Sequence, residues 1–574
     1  MKFSELDFNI QHVLNRIFSP TGLTAGITEF LDSRNLSSSD WELVSKTLEN
    51  IENEKLNIII ESLLGRVVFG DIPAGGGGTE TLLRAALLKI LAGCAPQEVL
   101  FLVSFENQTQ EIKNKMLELT PSKKSEIERI NFSTASMFLE NVLKEKAEDQ
   151  SLLVRLGMAE NFSYSSRWME LLAEERNGVN MSVYFWMVLH RKLTGSLTSV
   201  PEELREDTEE VFRSYEVSLE NRCLFDRVGM CNLIRRFYDF DKEFLIKHFA
   251  KFSAIFVDNG ERYLPGEWPI LRIFSKNGVL AVCGDFSISF YTPKDVQLGV
   301  EFRTFTLSNT FRHSPSVIEC LSNLSGRNIV SQNSVSDTGF VYYEAKDVQD
   351  ELEFIAFEIK QLILRGMGAS KIGIIYSSGD FPVKFSQPAL KSGIDCLEYP
   401  SSDSIIPLAE KLLEIIEKNP GASTMEILRK NLSAAEVLRV SAWFERHLRK
   451  FGPYEAISRR NNVILEDIRK LKERAPFSVK IVAEYFANAY QFDAVFLPDF
   501  EEGTYTGNMK SIFYKVTSRA ASCVFITRPL VREALYYWQK PFEPSPSKLV
   551  AFFPSGASKG SDRGPVKRLL KKLF

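Results

Sequence analysis

Apolar residues along this chain fall into two rhythms. One is the short unbroken run: Val67-Val68-Phe69, Val99-Leu100-Phe101-Leu102-Val103, Ala254-Ile255-Phe256-Val257 and Val279-Leu280-Ala281-Val282-Cys283. Runs of this length without polar alternation predict strands buried on both faces, the pattern of a parallel sheet. The other rhythm is amphipathic and helical. It covers Leu82 to Leu88, most of residues 140 to 250, and the charged stretch 420 to 475. Residues 1 to about 55 also read as polar, amphipathic helices, with a Ser-Ser-Ser-Asp cap at Ser37 to Asp40 ahead of Trp41. A second strand–helix alternation starts near 340, with Lys371 to Tyr376 and Ala494 to Leu497 as its clearest strands. Two such blocks predict two doubly wound α/β domains. From Pro541 the chain turns irregular and ends in a basic tail.

Composition adds bounds rather than chemistry. A length of 574 residues exceeds one ordinary domain, and three or four compact units are expected. Seventy basic residues against 74 acidic ones give no global attraction for nucleic acid, although a local basic groove would be invisible in that sum. Cys94, Cys223, Cys231, Cys283, Cys320, Cys396 and Cys523 are scattered and odd in number, without a Cys-x-x-Cys pair. That pattern predicts a reducing compartment and no zinc or iron–sulfur site. The start, Met-Lys-Phe-Ser-Glu-Leu-Asp, is too acidic for a signal peptide. No apolar run has membrane-spanning length, so a cytoplasmic protein is expected.

The most informative segment follows the first strand. Pro73 to Thr81 read Pro-Ala-Gly-Gly-Gly-Gly-Thr-Glu-Thr. A phosphate-binding loop ends in Gly-Lys-Ser/Thr: backbone N–H groups cradle phosphates, the lysine reaches the terminal ones and the hydroxyl holds magnesium. With Gly75, Gly76, Gly77 and Gly78 as the turn, the corresponding residues here are Thr79, Glu80 and Thr81. A glutamate thus stands where the lysine belongs. Two unit charges about 4 Å apart interact by ~4 kcal/mol at an effective dielectric near 20, so the exchange turns an attraction of that size into a repulsion. By itself the segment reads equally as a flexible glycine linker.

Further motifs decide between these. Val103-Ser104-Phe105-Glu106-Asn107, with Glu111-Ile112 after it, resembles the Thr-Phe-Thr-Asn motif of the UvrD/Rep branch of superfamily 1 DNA helicases. Phe256-Val257-Asp258-Asn259-Gly260-Glu261 is similar to that family's Walker B strand, and Val282-Cys283-Gly284-Asp285 with Ser289 and Tyr291 to its Gly-Asp-…-Gln-Ser-Ile-Tyr motif. Leu307 with Thr310-Phe311-Arg312 resembles Asn-Tyr-Arg-Ser. Phe492 to Leu497 with Glu501-Glu502-Gly503 resembles Glu-Phe-Asp-x-Val-Phe-Leu…Glu-Glu-Gly, and Tyr514 to Ala520 resembles Tyr-Val-Ala-Leu-Thr-Arg-Ala. The resemblance spans roughly residues 56 to 527 in the family's order. It implies two RecA-like P-loop NTPase domains, with a helical extension over 1–55 and a first domain over 56–305 that carries an insertion at about 140–250. The second domain is expected over 306–540 with a small insertion at about 420–475, followed by an irregular basic tail over 541–574.

The departures from the family fall on its chemistry. The glutamate that polarises the attacking water is Asn259 here, an amide with no basic lone pair at neutral pH. The glutamine that senses the γ-phosphate aligns with Ile288. The adenine-reading glutamine of a Leu-Asn-x-x-Gln pattern aligns with Ile60 in Leu56-Asn57-Ile58-Ile59-Ile60. The polar anchors ahead of Phe492 are mostly gone. Thr81 and Asp258 survive as implied magnesium contacts, and Arg312 and Arg519 as implied transition-state arginines. Each survivor has a plainer reading. Asp258 could cap the next turn, and the arginines could bridge carboxylates, Glu80 among them.

The resemblance also implies single-stranded DNA across the domain tops, with Phe105, Asn107 and Tyr291 at the matching positions. Base stacking on aromatic rings contributes about 1–3 kcal/mol per base. Phe105 reads equally as a core residue at a strand end, and the tail Val566 to Phe574 as a short basic helix for DNA or a partner, or as a solvated end. The expectation is a degenerate helicase with no cofactor, a DNA-binding or scaffolding subunit comparable to RecC- and AddB-type subunits beside an active helicase or nuclease. The alternatives are an active helicase using ATP and magnesium, and a protein-binding scaffold without DNA.

Overall fold

The computed structural model describes residues 2–19, 24–34, 36–104, 107–135, 137–139, 163–164, 188, 191–192, 197, 202–221, 224–240, 243, 246, 250–263, 267–276, 279–288, 293, 300–332, 339–376, 381–399, 405–432, 440, 443–444, 448, 456–484, 487, 490–500, 509–531 and 558–560. The chain divides into two compact units. The first comprises residues 1–312, 325–333 and 506–511, the second 313–324, 334–505 and 512–574.

In the first unit, six strands form one parallel sheet: β1 (Val67–Asp71), β2 (Val99–Val103), β3 (Asn131–Thr134), β4 (Ala254–Asp258), β5 (Leu280–Gly284) and β6 (Phe302–Thr306). Their spatial order is β3-β2-β4-β5-β1-β6, and every neighbouring pair runs parallel. Alternation along each strand sorts its side chains to two cores. Val68, Phe101, Phe256 and Ala281 enter one, while Phe69, Leu102, Val257 and Val282 enter the other. Both faces of the four central strands, β2, β4, β5 and β1, are therefore dry, which is why they read as unbroken apolar runs.

Helices that precede or interleave the early strands include α1 (Phe8–Phe18), α2 (Thr24–Asp32), α3 (Ser38–Leu48), α4 (Asn53–Leu63), α5 (Gly78–Leu91) and α6 (Asn107–Leu119). The cap of α3 forms as its sequence predicts. Ser37 Oγ accepts the Asp40 N–H at 3.1 Å, and the Asp40 carboxylate accepts the Ser37 N–H at 3.3 Å. Helix α4 lies directly on β1, since a Cβ at Gly70 would come within 2.7 Å of Ile58 Cδ1. Of the expected helical insertion, the described parts include helices Glu202–Asn221 and Arg227–Phe240, plus two-residue parallel strands at Ser163–Tyr164 and Leu224–Phe225.

The second unit holds a seven-stranded parallel sheet: β7 (Gly339–Asp347), β8 (Ile372–Tyr376), β9 (Cys396–Tyr399), β10 (Val479–Ala483), β11 (Phe492–Leu497), β12 (Ala520–Val531) and β13 (Ser558–Gly560). Their order is β9-β10-β8-β11-β12-β7-β13. Helices Thr424–Asn431 and Ile457–Arg474 occupy the region of the small expected insertion, and Ala409–Glu417 precedes it. Strand β13 corrects one expectation. It lies within the tail expected to be irregular, yet Ser558 to Gly560 pair with Val341 to Tyr343 of β7. Both units are parallel-sheet α/β folds. Among the described residues, no helix is long and apolar enough to cross a membrane.

Candidate nucleotide loop

The glycine loop leaves β1 at Asp71 and enters α5 at Gly78. Gly75 and Gly77 take φ of +75° and +87°, a region glycine enters without steric cost, and Gly77 is the N-cap of α5. Gly76 is confined instead by its neighbours: a Cβ there would lie 2.8 Å from the Asn309 carbonyl oxygen. The adjoining segment pins the loop from one side. Thr310 Oγ1 donates to Ala74 O at 3.1 Å, and the Phe311 N–H donates to Gly75 O at 3.1 Å. These contacts are specific to each position, so the run is a shaped loop and not a linker.

The hydroxyl facing the Walker B aspartate belongs to Thr79. Its Oγ1 lies 3.0 and 2.9 Å from the two Asp258 carboxylate oxygens. In phosphate loops, the hydroxyl that shares magnesium with this aspartate directly follows the lysine. By that contact Thr79, and not Thr81, takes the place of the hydroxyl, and the residue before it is Gly78. This corrects the register read from the sequence by two residues. Glu80 is not at the phosphate position. It sits in the first turn of α5, 42% exposed, with Oε1 2.6 Å from Arg84 Nε. Arg84 is held in turn by the carbonyls of Thr47 at 2.6 Å and Glu49 at 3.3 Å. Thr81 is buried, and its hydroxyl donates back to Gly77 O at 3.0 Å. The reason is helical geometry: at 3.6 residues per turn, residues two apart point to roughly opposite sides, so Thr79 and Thr81 cannot both face Asp258.

Asp258 ends β4 with 4% of its surface exposed. Burial pushes its carboxyl up to about 6, against the opposing effect of the Thr79 hydroxyl and the backbone of Asn259. Asn259 takes φ +54°, and its Nδ2 donates to Asp258 Oδ2 at 3.0 Å. The Asn259 side chain thus serves as a hydrogen-bond donor to its neighbour. Glu261 accepts the Asp285 N–H at 3.2 Å. Burial, with repulsion from Asp285 and Asp258, pushes it up to about 7.

The cation at the loop comes from elsewhere in the chain. Lys55, in the first turn of α4, places Nζ 4.2 Å from the centroid of the Phe311 ring, and a Cβ on Gly77 would lie 3.1 Å from that Nζ. Nζ pairs with Glu52 Oε2 at 2.8 Å, and Glu52 Oε1 accepts Asn309 Nδ2 at 2.6 Å. Ile60, the position assigned to the adenine-reading glutamine, is fully buried in the core on α4. The residue α4 presents to the loop is Lys55. Sequence reasoning also missed the charges at the strand ends. Asp285 accepts the Ala74 N–H at 2.9 Å, and Arg327 bonds to Asp71 with its second nitrogen 3.7 Å from Asp285.

The remaining expected residues are less informative. Arg312 is the last residue of the long first-unit stretch and is partly buried. Arg519, in the second unit, donates to Ser518 Oγ at 2.8 Å. Asn107 opens α6 and Ile288 ends the turn Phe286–Ile288, but both side chains lie outside the described residues, as do Phe105, Tyr291 and the stretch Val566 to Phe574. Thr79 and Asp258 form an oxygen donor pair suited to magnesium. The ammonium beside the loop, that of Lys55, is paired with Glu52. Among the described residues, no group of three or more His, Cys, Asp or Glu side chains could hold a metal.

No family model matches the chain, and no curated protein matches it. Solved structures similar to it include the C-terminal domain of a possible DNA helicase from Lactobacillus plantarum WCFS1. That likeness has 10% identity, covers 43% of this chain and 98% of that one, and has a TM-score of 0.24. Another is S. cerevisiae Dbp5 bound to RNA and ADP BeF3, at 10% identity, 94% of this chain, 98% of that one and a TM-score of 0.40.

Proposed function

We propose that this chain is a degenerate UvrD/Rep-like helicase that hydrolyses no ATP and serves as a DNA-binding or scaffolding subunit of a repair, recombination or defence complex. The observation that carries the reading is the split at the loop. The Thr79–Asp258 pair persists, while the lysine position is Gly78 and the position of the attacking base is Asn259, turned as a donor onto Asp258. Arginines such as Arg312 and Arg519 stabilise a transition state only when a phosphoryl group is held for them. Single-stranded DNA is the proposed ligand, with Phe105, Asn107 and Tyr291 as its contacts, and an active helicase or nuclease is the proposed partner.

Phosphate release by the full chain, with magnesium and ATP and with or without single-stranded DNA, tests the central claim. No release above background is expected. A DNA-stimulated rate that disappears in Asp258→Ala would overturn it. Fluorescence anisotropy with a labelled oligonucleotide at low salt tests the ligand. Modest binding is expected, weakened by about 1–3 kcal/mol in Phe105→Ala and in Tyr291→Ala if the rings stack on bases. No binding at all would leave scaffolding as the role.

A further inference from the structure

Lys55 has no counterpart in the chemistry that a phosphate loop performs, and its ammonium has its partners within the chain. Its stem is buried, its ammonium lies on the face of Phe311, and the Glu52 carboxylate neutralises it at 2.8 Å. An ammonium over an aromatic face is held by the ring quadrupole. Glu52 is itself anchored by Asn309, whose carbonyl confines Gly76 and whose neighbours Thr310 and Phe311 hold the carbonyls of Ala74 and Gly75. One connected set of contacts thus runs from the first turn of α4, through residues 309–311, to the loop and the N-cap of α5. A free amino group this close to the positive end of a helix is unfavourable unless an anion accompanies it. Glu52 supplies that anion from within the chain.

We propose that the Lys55–Glu52 pair is an internal plug: it occupies the mouth of the glycine loop beside Gly77, keeps the loop in its ligand-shaped form and excludes adenine nucleotides. The proposal rests on the pseudo-helicase reading and deepens it, because it makes the state of the first unit independent of nucleotide. To enter, a nucleotide must lift the ammonium from both Phe311 and Gly77 and break the pair with Glu52.

The test is a fluorescence titration of the full chain with the N-methylanthraniloyl ester of ATP and magnesium. The wild type is expected to show no saturable binding at about 1 mM probe. Lys55→Ala, and Lys55→Gln with its shorter side chain, should bind at least about tenfold more tightly than wild type, a change of about 1.4 kcal/mol. Variants that keep the wild-type circular dichroism yet bind no more tightly overturn the plug, while the pseudo-helicase reading stands or falls separately on phosphate release. Binding by the wild type that is lost in both variants would also overturn it, making Lys55 a ligand contact. Should neither variant fold, hydrogen exchange of the wild-type loop decides. Exchange at residues 74–79 unchanged by magnesium–ATP supports the plug, and protection by ATP overturns it.

Discussion

The titration of Asp258 gives the sharpest test of how the loop is built. This carboxyl titrates near 3.8 in an unfolded chain and at about 6 in the fold, because burial disfavours its charged form. The fold therefore binds this proton more tightly than the unfolded chain does. The stability this contributes is complete below pH 3.8 and is lost as pH rises through 6. That difference corresponds to about 3 kcal/mol of strain once the group is ionised. At pH 5 the burden is about half that, by the same linkage. Asp258→Asn removes the charge and keeps an acceptor for the Thr79 hydroxyl, and a flip of the Asn259 amide restores complementary pairing. Denaturant unfolding followed by the fluorescence of the buried Trp41 and Trp268 should show Asp258→Asn more stable than wild type at pH 8, by up to about 3 kcal/mol. The advantage should shrink by about half at pH 5. An advantage independent of pH, or a variant less stable at pH 8, would refute the view that burial disfavours the charged form of Asp258.

Two further outcomes follow from the pairings around the loop. Arg327→Ala leaves Asp71 and Asp285 facing each other and should cost about 3 kcal/mol near neutral pH by denaturant unfolding. Burial and the neighbouring Asp285 already hold the Asp71 carboxyl above its usual range, so the cost should fall at acid pH, where Asp71 takes up a proton. Glu80→Ala removes only a part-exposed pair one helical turn apart. It should cost no more than about 0.5 kcal/mol, with nucleotide binding unchanged, which separates Glu80 from the loop's chemistry.

The sheet was legible because burial on both faces leaves a simple mark. Val99 to Val103 and Ala254 to Val257 have no polar positions to misread, and their strands fall on those residues. The loop was located but not registered. Four consecutive glycines carry no side chain that distinguishes one position from the next, so the register depends on which hydroxyl meets Asp258, a contact 179 residues away in sequence. Ile60 was legible only as a missing glutamine; it is the helix face, which motif spacing does not carry, that turns Ile60 into the core and Lys55 to the loop. Arg327 carried no local signal at all, since its partners end β1 and follow β5. Strand β13 is three residues long in a basic, irregular context, too short for any periodicity to mark it.

The pairing of Arg327 with the ends of β1 and β5 also orders events during synthesis. All six strands of the first sheet, the glycine loop and Asp258 have been translated once residue 306 is made. The cation that neutralises Asp71 and Asp285 is encoded later, in the stretch 325–333 that returns to the first unit after 313–324 has joined the second. A nascent chain can therefore assemble its sheet while two neighbouring carboxylates remain uncompensated. A fragment ending at residue 312 would keep that condition permanently, with every strand of the six-stranded sheet present and its electrostatic closure missing.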